Sequence, residues 1–252
     1  MTKTIGDLGW KLIAVSGVVV ALLAGCAGMA GAPDYRAIVA SPDRSDADRK
    51  TDVRRRPEQL LAFSGAKTGM KVLDIGAGGG YSSELLARTV GPTGVVYAQN
   101  SQEMIDKFVK TAFDDRARKP AMKNVVKVVR DFDDPAPAAA KDLDLVTVYL
   151  IYHDTTYMNV DRAKMNQRLF EALKPGGHLV IIDHSAQSGA DVSVGKSLHR
   201  IDEALLRREV EAAGFKLVAE GDFLRNPADP RDAPFFKMQM PTDRFALKFV
   251  RP

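Results

Sequence analysis

A chain of 252 residues, 45% hydrophobic and 27% charged, can bury one good core and leaves little for a second. Its 36 basic and 32 acidic residues are well mixed, and a net charge of +4 without a long basic stripe interleaved with aromatics argues against a nucleic-acid-binding protein. The only cysteine, Cys26, excludes an intrachain disulfide.

Lys3 and Lys11 flank a basic start, and Leu12 to Ala24 is then nearly all apolar. That length suits a signal-peptide core better than a membrane span of ~20 residues. The alternative is an uncleaved anchor, because the uncharged stretch runs on to Ala32. Leu23-Ala24-Gly25-Cys26 resembles a bacterial lipobox, in which the cysteine becomes the first mature residue and carries lipid. Ala27 is not the inner-membrane retention residue, so the resemblance implies an outer-membrane lipoprotein facing the periplasm in a Gram-negative host. The expected organisation is a signal peptide over 1–25, a tether and N-terminal helical cap over 26–56, and one domain over 57–252.

Gly28 to Pro33 reads as the tether. Ser45 is an N-cap followed by acids Asp46 and Asp48, and Arg54-Arg55-Arg56 reads as the basic, solvated last turn of that helix. Pro57 starts another helix, which Gly65 ends. From Met70 onward strands and helices alternate, the signature of a parallel α/β sheet. Strands are expected at 71–75, 95–98, 125–129, 143–151 and 178–182, with helices at 82–89, 102–112, 158–173 and 201–213. Asp131 to Ala140 is a loop, and Lys174-Pro175-Gly176-Gly177 a sharp turn. Two last strands, 215–220 and 245–250, are expected to pair antiparallel.

The most informative stretch is Val72 to Tyr81: a buried strand, Asp74 at its tip, then a turn with Gly76, Gly78 and Gly80 opening a helix. Such a turn aims free N–H groups at a polar or anionic ligand, and glycine leaves no Cβ in the way. A βα turn without a ligand is the plain alternative. The spacing Asp-x-Gly-x-Gly-x-Gly resembles the first motif of class I S-adenosylmethionine (SAM) dependent methyltransferases. It differs from G-x-G-x-x-G, in which Tyr81 would be glycine. Leu173 to Gly177 is a second landmark of that superfamily, and Glu211 to Phe215 and Phe245 to Val250 are similar to its ends. The resemblance spans about Pro57 to Pro252. It implies a Rossmann-like, seven-stranded methyltransferase sheet, mostly parallel with an antiparallel C-terminal strand, and helices on both faces. It also implies N-terminal helices over the pocket, SAM as cofactor and a small-molecule acceptor.

By that resemblance, Gly76, Ala77, Gly78 and Gly80 lie against the methionine part of SAM, Asp74 is close to its ammonium, and Tyr81 reaches its carboxylate. Asn100 stands where the second strand should end in an acid for the ribose hydroxyls; an amide binds a diol more weakly than a carboxylate. Asp131 and Phe132 fit the adenine position, or are a loop acid and a loop-packing aromatic.

Tyr152-His153-Asp154 ends the fourth strand, where methyltransferases place acceptor-facing residues. His153 titrates near neutrality and suits a general base, with Asp154 to orient it and Tyr152 as an aromatic wall; a capping histidine is the other reading. His184, His199 and Arg200 are expected to contact the acceptor, although Arg200 equally suits a surface pair with Asp202 or Glu203. Three of the four histidines thus fall on the expected active face. Their separations follow no metal-motif spacing, so no metal is expected. Two readings of function result. One is a lipid-anchored SAM-dependent methyltransferase acting on a small molecule or envelope component. The other is a non-catalytic protein of the same fold that holds a nucleoside or other small ligand, favoured by Asn100 and by the cytoplasmic origin of SAM. Nothing in the sequence sets the oligomeric state.

Overall fold

Seven short apolar runs become strands because each is too short and too β-branched for a buried helix and is bounded by a turn. They are β1 (Lys71–Ile75), β2 (Val95–Asn100), β3 (Val125–Val129), β4 (Leu143–Tyr149), β5 (Leu173–His184), β6 (Lys216–Gly221) and β7 (Arg244–Val250). In the computed structural model, which describes residues 1–2 and 33–252, they form one sheet of order β3-β2-β1-β4-β5-β7-β6. The first five are parallel, and β7 runs antiparallel between β5 and β6. The signal core and Cys26 lie outside the described residues. Among the described residues no helix is long and apolar enough to cross a membrane.

Both faces of the central strands β1, β4 and β5 are buried, which is why they read as continuous apolar runs, whereas the edge strands β3 and β6 are largely exposed. Alternate residues serve opposite cores. Leu73, Ile75, Val146, Val148, Leu179 and Ile181 point to one face. There they meet Met165 and Leu169 of α7 (Arg162–Ala172) and Leu206 and Val210 of α9 (Glu203–Ala212). Val72, Val96, Leu145, Val180 and Ile182 point to the other. They pack on α3 (Pro57–Ser64) and α4 (Tyr81–Val90), with Tyr35 and Ile38 of α1 (Tyr35–Val39) at the margin.

The N-terminal helices belong to the same compact unit, Ala32–Pro252. Helix α2 (Asp46–Arg55) starts at Ser45, whose hydroxyl accepts from Asp48 N–H, and Pro57 and Gly65 bound α3 as the sequence suggests. Asp48 fastens α2 to the domain through Arg116 at 2.7 Å, and Arg116 is also paired with Glu84 of α4 at 2.5 Å.

Several boundaries move. β2 runs on to Asn100, whereas β4 stops at Tyr149 because Leu150 adopts a left-handed backbone (φ 60°). The expected turn 174–177 is instead the bulged start of β5, with Leu173 paired to Leu143. The helix expected over 102–112 is broken: α5 (Gln102–Met104) passes into a π turn (Ile105–Val109), Lys110 takes φ 51°, and α6 (Ala112–Ala117) follows. Asp161 and Asp202 cap α7 and α9 later than expected, and α8 (Val194–Leu198) forms in a stretch with no expected element.

Candidate active site

A cavity of about 860 Å³ opens beyond the carboxyl ends of β1, β4 and β5, where doubly wound sheets bind ligands. The glycine turn forms one end of it. Gly76 and Gly78 have φ of 61° and 56°, so both need the left-handed freedom of glycine. A Cβ on Gly76 would come within 2.7 Å of the Ile151 side chain, whereas one on Gly78 would meet nothing within 4 Å and would project into open space.

The turn is held differently from the expectation of free N–H groups. Gly76 N–H donates to Gln99 Oε1 (3.0 Å), Ala77 N–H to the Gln99 carbonyl (2.9 Å) and Gly78 N–H to Asn100 Oδ1 (2.8 Å). Asn100 Nδ2 donates back to the Gly78 carbonyl at 3.1 Å. Two side-chain amides at the tip of β2 thus shape the turn and take the Gly76 and Gly78 donors. Asn100 is buried and does not line the cavity, which corrects its expected place at the ribose. Asp74 is likewise turned inward. It accepts from Ser82 and Ser83 (2.7 Å each) and Thr147 (2.8 Å), tying the tip of β1 to α4 and β4 rather than facing an ammonium group. Tyr81 does line the cavity, but its hydroxyl donates to Asp52 at 2.6 Å and is not aimed at a ligand.

A positive end was not expected. Arg55, read from sequence as part of a solvated helix end, lines the cavity with its guanidinium 5.1 Å from the Tyr81 ring centroid. It has no hydrogen bond or ion pair among the described residues. Arg244, from the start of β7, is buried beside it; its Nη1 donates to the Arg54 carbonyl and its Nε to Thr242, with no carboxylate partner among the described residues. Burial and the neighbouring Arg55 and Arg54 push Arg244 down to about 10. The Tyr149 hydroxyl, also on the cavity wall, is buried with no hydrogen-bond partner among the described residues. Uncompensated cations and an unpartnered hydroxyl in one cavity are costly unless an anion joins them.

The same cavity holds a titratable cluster, linked to Arg244 through Thr242. The chain leaves β4 through a 3₁₀ turn (Tyr152–Thr156), which places His153 and Asp154 over the tip of β5. Asp183 accepts at His153 Nδ1 (2.6 Å) and from the His153 backbone N–H (2.8 Å). Asp154 Oδ1 lies 3.1 Å from His153 Nε2 and 3.1 Å from His199 Nδ1, and accepts from the Tyr157 hydroxyl at 2.5 Å. So Asp183, not Asp154, orients the His153 ring at Nδ1. Burial opposes charge on His153, but the Asp183 and Asp154 carboxylates outweigh it and raise its pKa to about 10. His184 behaves oppositely. Burial and the positive groups His153, Arg244, Arg200 and Arg55 hold it neutral. Its Nδ1 meets Thr242 Oγ1 at 2.7 Å, and its ring stacks on Phe235 at 4.9 Å.

Four further residues lie away from the cavity. Tyr152 is fully buried, donating to Glu209 (2.9 Å) and accepting from Asn166 (2.8 Å), so it is a core residue. Arg200 is 0% exposed and bidentate to Asp229 (2.8 and 3.1 Å), so it binds no acceptor and makes no surface pair with Asp202 or Glu203. Phe132 belongs to the core, Asp131 to the exposed loop, and neither lines the cavity.

The roof was missed. It comes from the long connection between β6 and β7, with Phe235, Phe236 and Met240, and from Phe108 on the π turn. Phe108 is 77% and Phe236 60% exposed, and a Phe-Phe pair inside a polar, proline-rich loop was the available signal. His199, Tyr157, Phe235 and Phe236 contact edge-on, making an aromatic wall beside the cluster.

Comparison with known proteins agrees with this geometry. A family described as "Methyltransferase domain" matches residues 66–214, more than half of the chain. The ubiquinone/menaquinone biosynthesis C-methyltransferase UbiE of Shewanella baltica is 25% identical over 189 residues, covering 75% of this chain; the chain spans 66% of that relative's length. A SAM dependent methyltransferase from Aquifex aeolicus superposes with a TM-score of 0.57 at 21% identity, over 82% of this chain and 97% of that one. Fibrillarin from Aeropyrum pernix, solved with natively bound SAM, superposes with a TM-score of 0.51 at 13% identity, over 76% of this chain and 73% of that one. The chain therefore belongs to the family described as "Methyltransferase domain", and it shares its fold with these solved proteins.

Proposed function

We propose that this protein methylates an apolar small molecule bearing an ionisable hydroxyl, of the phenol or quinol kind. The observation that carries the reading is the single cavity joining the glycine turn to the His153–Asp154–His199 cluster beneath an apolar, aromatic roof. An apolar roof favours a flat hydrophobic acceptor, and a cluster of imidazoles and carboxylates suits the handling of its proton. The printed activity of the Shewanella relative, C-methylation in ubiquinone and menaquinone biosynthesis, is of the same chemical kind. The apolar segment ending at Cys26 supports placing the enzyme in a bacterial envelope, lipid-anchored and facing the periplasm.

The residues present fit the cofactor. SAM supplies, when bound, a methyl group made electrophilic by its sulfonium. The Gly76–Gly79 backbone provides a floor open at Gly78. Arg55 supplies the positive charge that a carboxylate requires, and the unpartnered Tyr149 hydroxyl stands on the same cavity wall. Glu103, just past β2 on the cavity wall, takes the ribose-binding part that the sequence assigned to Asn100. Asp183 fixes His153 from behind. Asp154 and His199, more accessible than His153, meet the acceptor hydroxyl and favour the loss of its proton. Phe235 and Phe236 exclude water above it.

The test is transfer of labelled methyl from SAM to a panel of apolar phenols and quinols, beside amines and carboxylates, with the full chain. Transfer to the phenolic class, abolished in His199→Ala while SAM affinity is kept, is the expected result. SAM binding without transfer to any of them, or transfer only to amines or carboxylates, would overturn the acceptor assignment.

A further inference from the structure

Among the described residues, His153, Asp154 and His199 bring one ligand atom each to within 4.8 Å of one another. Linear spacing gives no sign of this group. His153 and Asp154 come from the turn after β4, whereas His199 sits 45 residues beyond Asp154, where a left-handed backbone (φ 52°) ends α8.

Three features separate the group from an ordinary hydrogen-bonded cluster. First, Asp183 occupies His153 Nδ1, so Nε2 is the atom presented to Asp154. Nε2 is buried and lies 3.1 Å from Asp154 Oδ1, yet off the line of a hydrogen bond, and it has no hydrogen-bond partner. A buried nitrogen without a well-aligned partner is a position that a ligand can satisfy. Second, the two imidazoles stand at 81° with centroids 5.5 Å apart, and each brings a nitrogen to 3.1 Å from the same carboxylate oxygen. Ligand atoms held about 2.0–2.2 Å from one tetrahedral ion sit ~3.3 Å from each other. Both nitrogen–oxygen contacts already meet that spacing. Third, each of two ligands has an outer partner. Asp183 grips His153, and the Tyr157 hydroxyl grips Asp154 at 2.5 Å. A carboxylate behind a ligating histidine fixes its tautomer and raises its basicity.

We propose that His153 Nε2, the Asp154 carboxylate and His199 Nδ1 bind one divalent transition-metal ion of the zinc class, with a further position open to the cavity. A two-histidine, one-carboxylate set of borderline-soft donors suits zinc, cobalt, iron or manganese rather than magnesium or calcium. An acceptor hydroxyl in the open position would lose its proton to solvent more readily, because the ion stabilises the oxyanion. Only the identity of that fourth ligand rests on the acceptor proposed above; metal binding itself does not.

The experiment uses the full chain stripped of metal by chelation. Zn²⁺ is titrated by calorimetry, and Co²⁺ is followed by its visible absorption, which reports coordination geometry. The expected result is one ion per chain, saturating in the micromolar range or below, with a cobalt spectrum of low coordination number. His199→Ala and Asp154→Asn should each weaken binding by roughly 100-fold, and Asp183→Asn by about 10-fold to 100-fold through the His153 ring. His178→Ala, outside the cluster, should not change it. Retained SAM affinity and thermal melts establish that each variant is folded. No ion bound by the SAM-competent wild type, or one whose affinity the three cluster variants leave unchanged, would overturn the site. Metal bound without methyl transfer would leave the site standing and remove the acceptor reading. Methyl transfer undiminished in protein shown to bind no metal would do the reverse, leaving His199 and Asp154 as a plain proton relay.

Discussion

Replacing Asp48 by asparagine tests whether the N-terminal helices are part of the binding site. Asp48 is 4% exposed and sits between Ser45 and Arg116, with Lys119 nearby at 3.9 Å. Burial opposes its charge, but the Arg116 guanidinium wins and lowers its pKa from 3.8 to about 2. At about 1.4 kcal/mol per unit, that drop corresponds to about 2 kcal/mol of stability. A lowered carboxylate pKa contributes fully above the unfolded value of 3.8 and is lost as pH falls through about 2. Urea unfolding of wild type and Asp48→Asn should therefore differ by about 2 kcal/mol at pH 6, by about half of that at pH 3, and by only about 0.4 kcal/mol near pH 2. Arg55 lies in the last turn of the same helix, so loosening α2 should also weaken SAM binding in calorimetry. A stability gap that is the same at pH 6 and pH 3, or SAM affinity untouched by a measurable loss of stability, would refute the reasoning.

Other substitutions separate roles that look alike in sequence. Arg55→Ala should weaken SAM by roughly 10-fold or more, as expected for a charge-assisted contact, while leaving the affinity for adenosine, which has no carboxylate, unchanged. Asn100→Ala should lower stability by about 1 kcal/mol by leaving Gly78 N–H unpaired, with a smaller effect on SAM than Glu103→Gln, whose loss should appear equally with adenosine. Arg200→Ala should cost about 3–5 kcal/mol in urea unfolding, because it strands the buried Asp229 carboxylate; a folded variant with only a raised acceptor KM would restore its expected contact with acceptor. Phe236→Ala, on the exposed roof, should raise the acceptor KM and leave SAM affinity and stability unchanged.

Local chemistry was legible and partnership was not. The alternation of strands and helices, the left-handed glycines after β1, the Ser45 cap and the Pro57–Gly65 bounds of α3 are readable because each depends on residues within a few positions of itself. The same is true of the histidines at the strand ends, since the carboxyl edge of a doubly wound sheet is where a ligand binds. What the sequence by itself determined is therefore the fold class and the edge of the sheet at which the cavity opens.

Only the tertiary structure decided what those groups do there. Asp74, Asn100, Tyr152 and Arg200 are polar residues beside the expected site, and each turned inward to a partner. A buried polar atom must be satisfied, and its partner can come from anywhere in the chain: Thr147 for Asp74, Glu209 for Tyr152, Asp229 for Arg200. Conversely, Arg55 and Arg244 come from opposite ends of the domain, and neither pairs with a carboxylate among the described residues. Their meeting, like the convergence of His153, Asp154 and His199, is a product of packing, because distance along the chain carries no record of which loops the core will bring together.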